Sequence, residues 1–260
     1  MKSKTFLDAL IIIARLLQEL RHTRRMLLFW VLFPVLLLLL FGLMYAGSQG
    51  QARSFDSTVP GILIGAALFF SCLSGPVVTL VGERERGTLR RLLLMPLSSL
   101  SYFLGVLLFY LLVALLQTLV VYGVALLFGG RCHGPWPLAA LLIVLSVVNY
   151  CGIGFVLGAS LASRTEDVTG PISAIGVPLL VLGGTFFSPS LMPPFLRALA
   201  NVNPIYHMIG ALRRVSAGGA GWSVVWPSVA ALSGMAVLTL GAGVIAYQRS
   251  LQKERRGEPC

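Results

Sequence analysis

Few residues in this 260-residue chain stand where they could act together on a substrate. His22, His133 and His207 lie far apart, and neither H-E-x-x-H nor G-x-S-x-G occurs, so the patterns of zinc hydrolysis and nucleophilic catalysis are missing. Cys72, Cys132, Cys151 and Cys260 make no C-x-x-C pair and read as packing residues or free thiols, with no metal site or disulfide frame implied. Nothing matches the phosphate-cradling G-x-x-x-x-G-K-S/T, and the lysines are Lys2, Lys4 and Lys253 alone. If ATP drives this protein, another chain binds it. The string "GIGFVLGAS" (152–160) echoes a dinucleotide fingerprint, but it is apolar and follows no strand. No catalytic, cofactor-binding or metal-binding residue is therefore expected. What remains is one knot of charge, "GERERGTLRRLLLMPLSS" (82–99), four Arg and two Glu between long uncharged runs. Its chemistry is recognition of a surface.

The elements that hold this knot follow from composition. Hydrophobic residues make up 57% of the chain and charged ones 11%, less than half the usual share of a soluble domain. A net charge of +11 would suit nucleic acid, but there is no soluble domain on which a basic face could form, and membrane proteins hold Lys and Arg in their cytoplasmic loops. Six apolar runs qualify or nearly qualify as spans: 27–46, 59–81, 101–128, 138–163, 171–188 and 224–247. The fifth is the weakest, holding Pro178 and three Gly before "SPSLMPP". In lipid such runs must be helices, because every backbone polar group has to be satisfied within the protein. The sequence predicts an all-α integral membrane protein with six transmembrane helices and both termini inside. In that arrangement only Arg53, Arg131, Arg197, Arg213 and Arg214 of the 20 basic residues lie outside. A cleaved signal is disfavoured, since the 27–46 run lies too far from the basic start and is read as a retained span. The spans hold no Asp, Glu, Lys, Arg or His, which argues against a proton- or ion-coupled carrier. They do hold Gly154 and Gly158 four apart for close helix approach, and Gln117 and Asn149 for bonds between helices.

Two amphipathic segments flank the spans. Phe6, Leu10, Ile13, Leu17 and Leu20 form one helix stripe, with Asp8, Arg15, Glu19 and His22 opposite. That helix can lie in the headgroup layer with its Arg cluster on anionic lipid, or pack against a cytoplasmic partner. In the 82–99 loop, Gly87 permits a bend, Thr88 can cap a short helix, Leu89, Leu92 and Leu93 form its apolar face, and Pro96 stops it. Physics leaves two readings open here: a positive-inside loop resting on lipid, or a helix pressed into a partner. Positive-inside bias accounts for the Arg residues but not for Glu83 and Glu85. Near the other end, Pro193, Pro194 and Pro204 can start short loop helices.

"GERERGTLRRLLLMPLS" resembles the E-x-E-x-G-T-x-x-x-L-x-x-x-P-L/V-S/T signature of permeases of type-two ATP-binding cassette (ABC-2) exporters. "LGGTFFSPSLMPPFLRALANVNPIYHMIGALRR" is similar to that family's G-x-x-F-P-x-x-x-L/M-P block followed by N-P-x-x-Y/H and a terminal Arg, with a Ser intervening before the usual Pro. The likeness covers nearly the whole chain. It implies a connecting helix over 1–26, a six-helix transmembrane domain over 27–248 and a basic cytoplasmic tail over 249–260. Glu83, Arg84, Glu85, Arg86, Gly87, Thr88, Leu89, Arg90, Arg91 and Pro96 would then form the coupling segment to a cytoplasmic ABC ATPase subunit. Charges of both signs give such a contact direction. Phe186, Phe187 and Phe195 would plug a re-entrant outer hairpin, with Pro193, Pro194, Asn203 and Pro204 shaping it and Tyr206 and Arg213 anchoring it. The resemblance also implies a second permease subunit, identical or different, giving twelve spans around one path. No cofactor is expected in this chain, since ATP and Mg would sit on the ATPase, and no nucleic acid partner. The expected cargo is amphiphilic, a drug-like compound or lipid moved outward across the plasma (bacterial inner) membrane. Alternatives are polysaccharide, teichoic acid or lipid-linked glycan export and, in another class, a membrane scaffold or assembly factor.

Overall fold

The computed structural model describes residues 2–87, 99–160, 165–187 and 192–256, and the side chains of these except 2–6, 24, 99, 166, 167, 169 and 253–256. Among the described residues every regular element is a helix: α1 (Lys2–His22), α2 (Arg24–Gln49), α3 (Gln51–Gly61), a π-helical stretch (Ile62–Leu73), α4 (Ser74–Glu85), α5 (Ser99–Leu127), α6 (Trp136–Ser160), α7 (Thr165–Leu182), α8 (Pro194–Val202), α9 (Pro204–Ser216) and α10 (Trp222–Arg256).

The axis of the bundle is the continuous 35-residue helix Gln51–Glu85, made of α3, the π stretch and α4. Of its most apolar window 83% is buried, against 22% for those of α2 and of the last helix, so the former is enclosed and the latter two are peripheral. The helices α2, α5 and α6 pack on the π stretch, α6 and α7 flank α4, α10 lies along α6, and α1 lies along α5. Gly154 and Gly158 make the close approach expected of them: a Cβ on Gly154 would sit 2.5 Å from the Leu73 carbonyl oxygen, and one on Gly158 would sit 3.1 Å from Val77 Cα. Gln117 accepts from Ser71 Oγ (2.8 Å) and donates to the Trp30 carbonyl (3.0 Å), while Asn149 donates to the Leu232 carbonyl (3.1 Å). Both buried amides thus serve as ties between helices.

The structure departs from the sequence reading in three places. The stretch before position 59, expected as an outer loop, is the helix α3, separated from α2 only by Gly50 at φ 81°. It is held by hydroxyl-to-carbonyl bonds that the apolar pattern cannot register, Ser54 Oγ to Gly42 (2.6 Å) and Thr58 Oγ1 to Ser54 (2.8 Å). The 171–188 run is not a helix of spanning length: its apolar part, Gly170–Leu182, is short, and five helices among the described residues are long and apolar enough to cross a membrane. Pro171 and Pro178 sit inside α7, and the chain turns at Gly184 (φ 76°). Third, the inward stripe of α1 is Ala9, Ile12 and Leu16, with Ile13 and Leu20 half-buried beside it, whereas Leu10 and Leu17 are exposed and the Phe6 side chain lies outside the described residues. Gly105 on α5 explains the shift, because its missing side chain lets Ile12 seat against the backbone; a Cβ there would come within 2.8 Å of Ile12 Cβ.

Candidate functional site

The charge knot begins where the axial helix ends. A helix turns about 100° per residue, so four successive residues point to four sides of it, and in 83–86 each finds a different neighbour. Glu83 is buried, at 1% exposure, and accepts from Arg15 Nη2 of α1 (2.8 Å) and from the Tyr102 hydroxyl of α5 (2.7 Å). The Tyr102 ring in turn stacks on Tyr247 of α10, centroids 5.1 Å apart. Arg84 donates to Ser250 Oγ of α10 (2.7 Å). Glu85 caps the start of α7, accepting from the Thr165 backbone N–H (2.8 Å) and hydroxyl (2.7 Å). Arg86 pairs with Glu19 of α1 (2.6 Å) and donates through Nε to the Gly82 carbonyl (3.0 Å). Gly87, at φ 65°, closes the turn that ends the helix, its N–H returning to the Arg84 carbonyl (3.0 Å).

Four consecutive charges thus join the axial helix to α1, α5, α7 and α10. A buried carboxylate with two donors, one of them charged, is a strong local constraint, since stranding it costs several kcal/mol, about 3–5. The partners Arg15, Glu19, Tyr102, Thr165 and Ser250 were not singled out by sequence reasoning as contacts of this segment. The one available signal was the pair Arg15 and Glu19 at i, i+4 on α1, whose signs mirror Glu83 and Arg86. Thr88, Leu89, Arg90, Arg91 and Pro96, the remainder of the expected coupling segment, lie outside the described residues.

At the opposite end, Phe186 stacks on Phe41 of α2 (5.3 Å) and Phe187 meets the same ring edge-on (6.2 Å), while the Tyr45 hydroxyl donates to the Phe186 carbonyl (3.0 Å). Phe195 does not join them: it is 67% exposed on α8. Pro194 and Pro204 each occupy the first turn of a short helix, and Pro193 precedes the first as its N-cap. Asn203, buried, caps α9 by accepting from the Ile205 N–H (3.0 Å) and donates to the Leu179 carbonyl of α7 (2.6 Å). Arg213 donates to the Gly184 carbonyl (2.9 Å), and Tyr206 is half-buried against His207. The hairpin is therefore tied to α2 by aromatic rings and to α7 by an amide, with Phe41 the partner that sequence reasoning missed.

Between these ends lies a cavity of about 380 Å³ bounded by the π stretch, α6, α7 and α9, its walls including Phe69, Leu73, Tyr150, Ile172 and Met208. Its polar groups are already engaged: Tyr150 donates to the Ile64 carbonyl (3.1 Å), and Asn203 is bonded as above. Such a space accepts apolar matter.

Comparisons with known proteins agree with this architecture. The family described as ABC-2 type transporter matches residues 8–216. The daunorubicin resistance ABC transporter permease protein DrrB1 of Streptomyces coeruleorubidus is 27% identical over 240 residues, covering 89% of this chain and 80% of the relative. The inner membrane transport permease YadH of Escherichia coli K12 is 25% identical over 186 residues, covering 70% of this chain and 72% of the relative. With most of its length matched and its apolar helices packed as a multi-pass bundle, the chain belongs to the ABC-2 type transporter membrane family.

Proposed function

We propose that this chain is the permease subunit of an ATP-driven exporter, working with a separate cytoplasmic ABC ATPase that carries ATP and Mg and with a second permease subunit, identical or different. The observation that carries the reading is the junction at 83–86. A push or pull on the segment that follows Gly87 reaches α1, α5, α7 and α10 through bonds of 2.6–2.8 Å. The 82–97 segment is the coupling loop in this scheme, and α1 braces it. Both termini are cytoplasmic, in line with the heavy bias of Lys and Arg to that side. The 171–188 run serves as a sixth, irregular span, and the outer hairpin dips back into the outer leaflet, closing the exit with Phe186, Phe187 and Phe41.

The cargo is amphiphilic, a drug-like compound or a lipid. Two things support this class: the apolar cavity, whose polar groups are spoken for, and a relative named for daunorubicin resistance. Glycan export, the runner-up, fits less well because sugar hydroxyls need unengaged polar partners. A scaffold without transport would need no such cavity.

The test is co-purification with an ATPase subunit, followed by ATPase and export assays on Glu85→Ala and Arg86→Ala, whose side chains are exposed enough to spare the fold. Assembly with reduced cargo-stimulated ATPase is expected. Intact ATPase and export in both variants would show that the junction does not couple. A cysteine placed at position 90 should resist impermeant labelling from outside intact cells, and ready labelling there overturns the orientation.

A further inference from the structure

The end of the bundle that carries the hairpin is short of acid. Helix α3, the 128–135 loop and the stretch 183–223 hold Arg53, Arg131, Arg197, Arg213 and Arg214 against a single carboxylate, Asp56. Asp56 is already engaged, accepting from the Arg131 backbone N–H and lying 3.6 Å from His133 Nδ1. Arg213 and Arg214 stand in the last turn of α9. Arg213, half-buried, donates through Nη2 to the Gly184 carbonyl, while its Nε is enclosed without a hydrogen-bond partner. Arg214, exposed, donates to Ser228 Oγ of α10. Each guanidinium thus holds one neutral oxygen, and among the described residues neither meets a carboxylate. The carbonyls that end α9 offset only about half a unit charge. Burial works against the charge of Arg213, pushing its pKa below the ordinary value. An Arg that merely snorkels would keep its N–H groups in water. Exposed Trp136 and Trp222, the first residues of α6 and α10, and Trp226 one turn further lie at the same end. Such amphipathic rings settle at headgroup level in a bilayer, where the anion on offer is phosphate.

We propose that the last turn of α9 binds the phosphate of an anionic phospholipid, with Arg213 and Arg214 as its ligands. Arg suits this task because its planar fork can meet two phosphate oxygens at once. A zwitterionic headgroup brings its own cation and cannot offset the basic surplus of this end, whereas a headgroup of net negative charge can. With the termini cytoplasmic the site lies in the outer leaflet, and it gives Arg213 and Arg214 a use there that positive-inside bias does not. The binding itself depends neither on that orientation nor on the export reading.

The chain has four Trp, and Trp30, buried beside the charge junction, is the one away from this end. In a full-length Trp30→Phe background, tryptophan emission therefore reports on the hairpin end. The protein is reconstituted in phosphatidylcholine mixed with phosphatidylglycerol whose acyl chains carry bromine, a quencher of neighbouring tryptophan. Bromine placed on the phosphatidylcholine instead controls for access. Phosphatidylglycerol should be favoured by about threefold or more. Arg213→Gln, whose amide can still donate to the Gly184 carbonyl, and Arg214→Gln should each lower that ratio, and the double variant should bring it to parity. Arg249→Gln, exposed at the other end, should leave it unchanged. Should Trp30→Phe not fold, the wild-type background gives the same reading, because buried Trp30 is out of reach of lipid. Should Arg213→Gln not fold, the exposed Arg214 decides alone. Parity before any Arg is replaced, or a preference untouched by the Arg substitutions, overturns the proposal. So does loss of the preference on adding millimolar glycerol phosphate, because the site would then take soluble phosphate and not a membrane lipid. Failure here leaves coupling to an ATPase untouched, and failure of co-purification leaves this binding intact.

Discussion

Removing Arg15 should damage the protein more than removing its partner, and removing both should repair part of the harm. Glu83 is 1% exposed and Arg15 36%, so the two ends of the 2.8 Å pair differ in their access to water. Arg15→Gln removes the charged donor from a carboxylate buried in the bundle, a loss near the lower end of the range for a broken buried pair, about 3 kcal/mol. Glu83→Gln strands an Arg that water can reach, and its amide oxygen still accepts from Tyr102, so the loss is about 1–2 kcal/mol, the worth of a charge-assisted hydrogen bond. In the double variant no charge is stranded, and the loss returns to about 1 kcal/mol, which makes the pair strongly non-additive. At about 2–4 °C per kcal/mol, the apparent melting temperature should rank wild type highest, Glu83→Gln and the double variant together below it, and Arg15→Gln lowest. The assay is fluorescence-detected size exclusion after heating in nanodiscs, where rank order survives irreversible unfolding. A double variant less stable than Arg15→Gln alone would refute the claim that Glu83 is a buried charge held by Arg15.

Other expectations follow from single contacts. Gly154→Ala should destabilise by more than 2 kcal/mol, an overpacking cost, because its Cβ would meet the Leu73 carbonyl oxygen at 2.5 Å; Gly234→Ala, with nothing within 4 Å, should be neutral or better. Thermal ranking of the two variants checks this. Asn203→Asp keeps the cap on α9 but turns the donor facing the Leu179 carbonyl into an acceptor, so it should loosen the hairpin, seen as faster proteolysis between α7 and α9. Burial pushes the Cys132 thiol above its ordinary value, aided by nearby Asp56. The thiolate fraction at neutral pH falls accordingly, so in a chain with the other cysteines replaced, labelling at Cys132 should be slow at pH 7 and keep rising beyond the pH where a free thiol levels off. An early plateau would contradict that environment.

Long apolar runs were enough to read a helical membrane bundle, because lipid allows little else. Gly154 and Gly158 were legible for a similar reason: small residues four apart have one common use in a span. What escaped was set by three-dimensional pairing. Helix α3 depends on Ser and Thr hydroxyls bonding back along the chain, which hydropathy counts as polar loop. The inward face of α1 was misread by one position because its neighbour's Gly105 admits Ile12, a fact lodged on another helix. Glu83 and Glu85 stood out in the sequence because lipid does not call for acids. Their partners within the same chain, Arg15 and Thr165, lie 68 and 80 residues away in sequence and carry no local mark.

The π-helical stretch has a geometric consequence for the junction. A π-helix winds less per residue than an α-helix, so the 12 residues of Ile62–Leu73 set the rotational phase at which Glu83–Arg86 emerge. Tightening that stretch into an α-helix would swing the four charges around the axis together, away from α1, α5, α7 and α10 at once. Single-residue insertions or deletions upstream of Ser74 should therefore act as phase errors, harming the junction more than any single substitution within it.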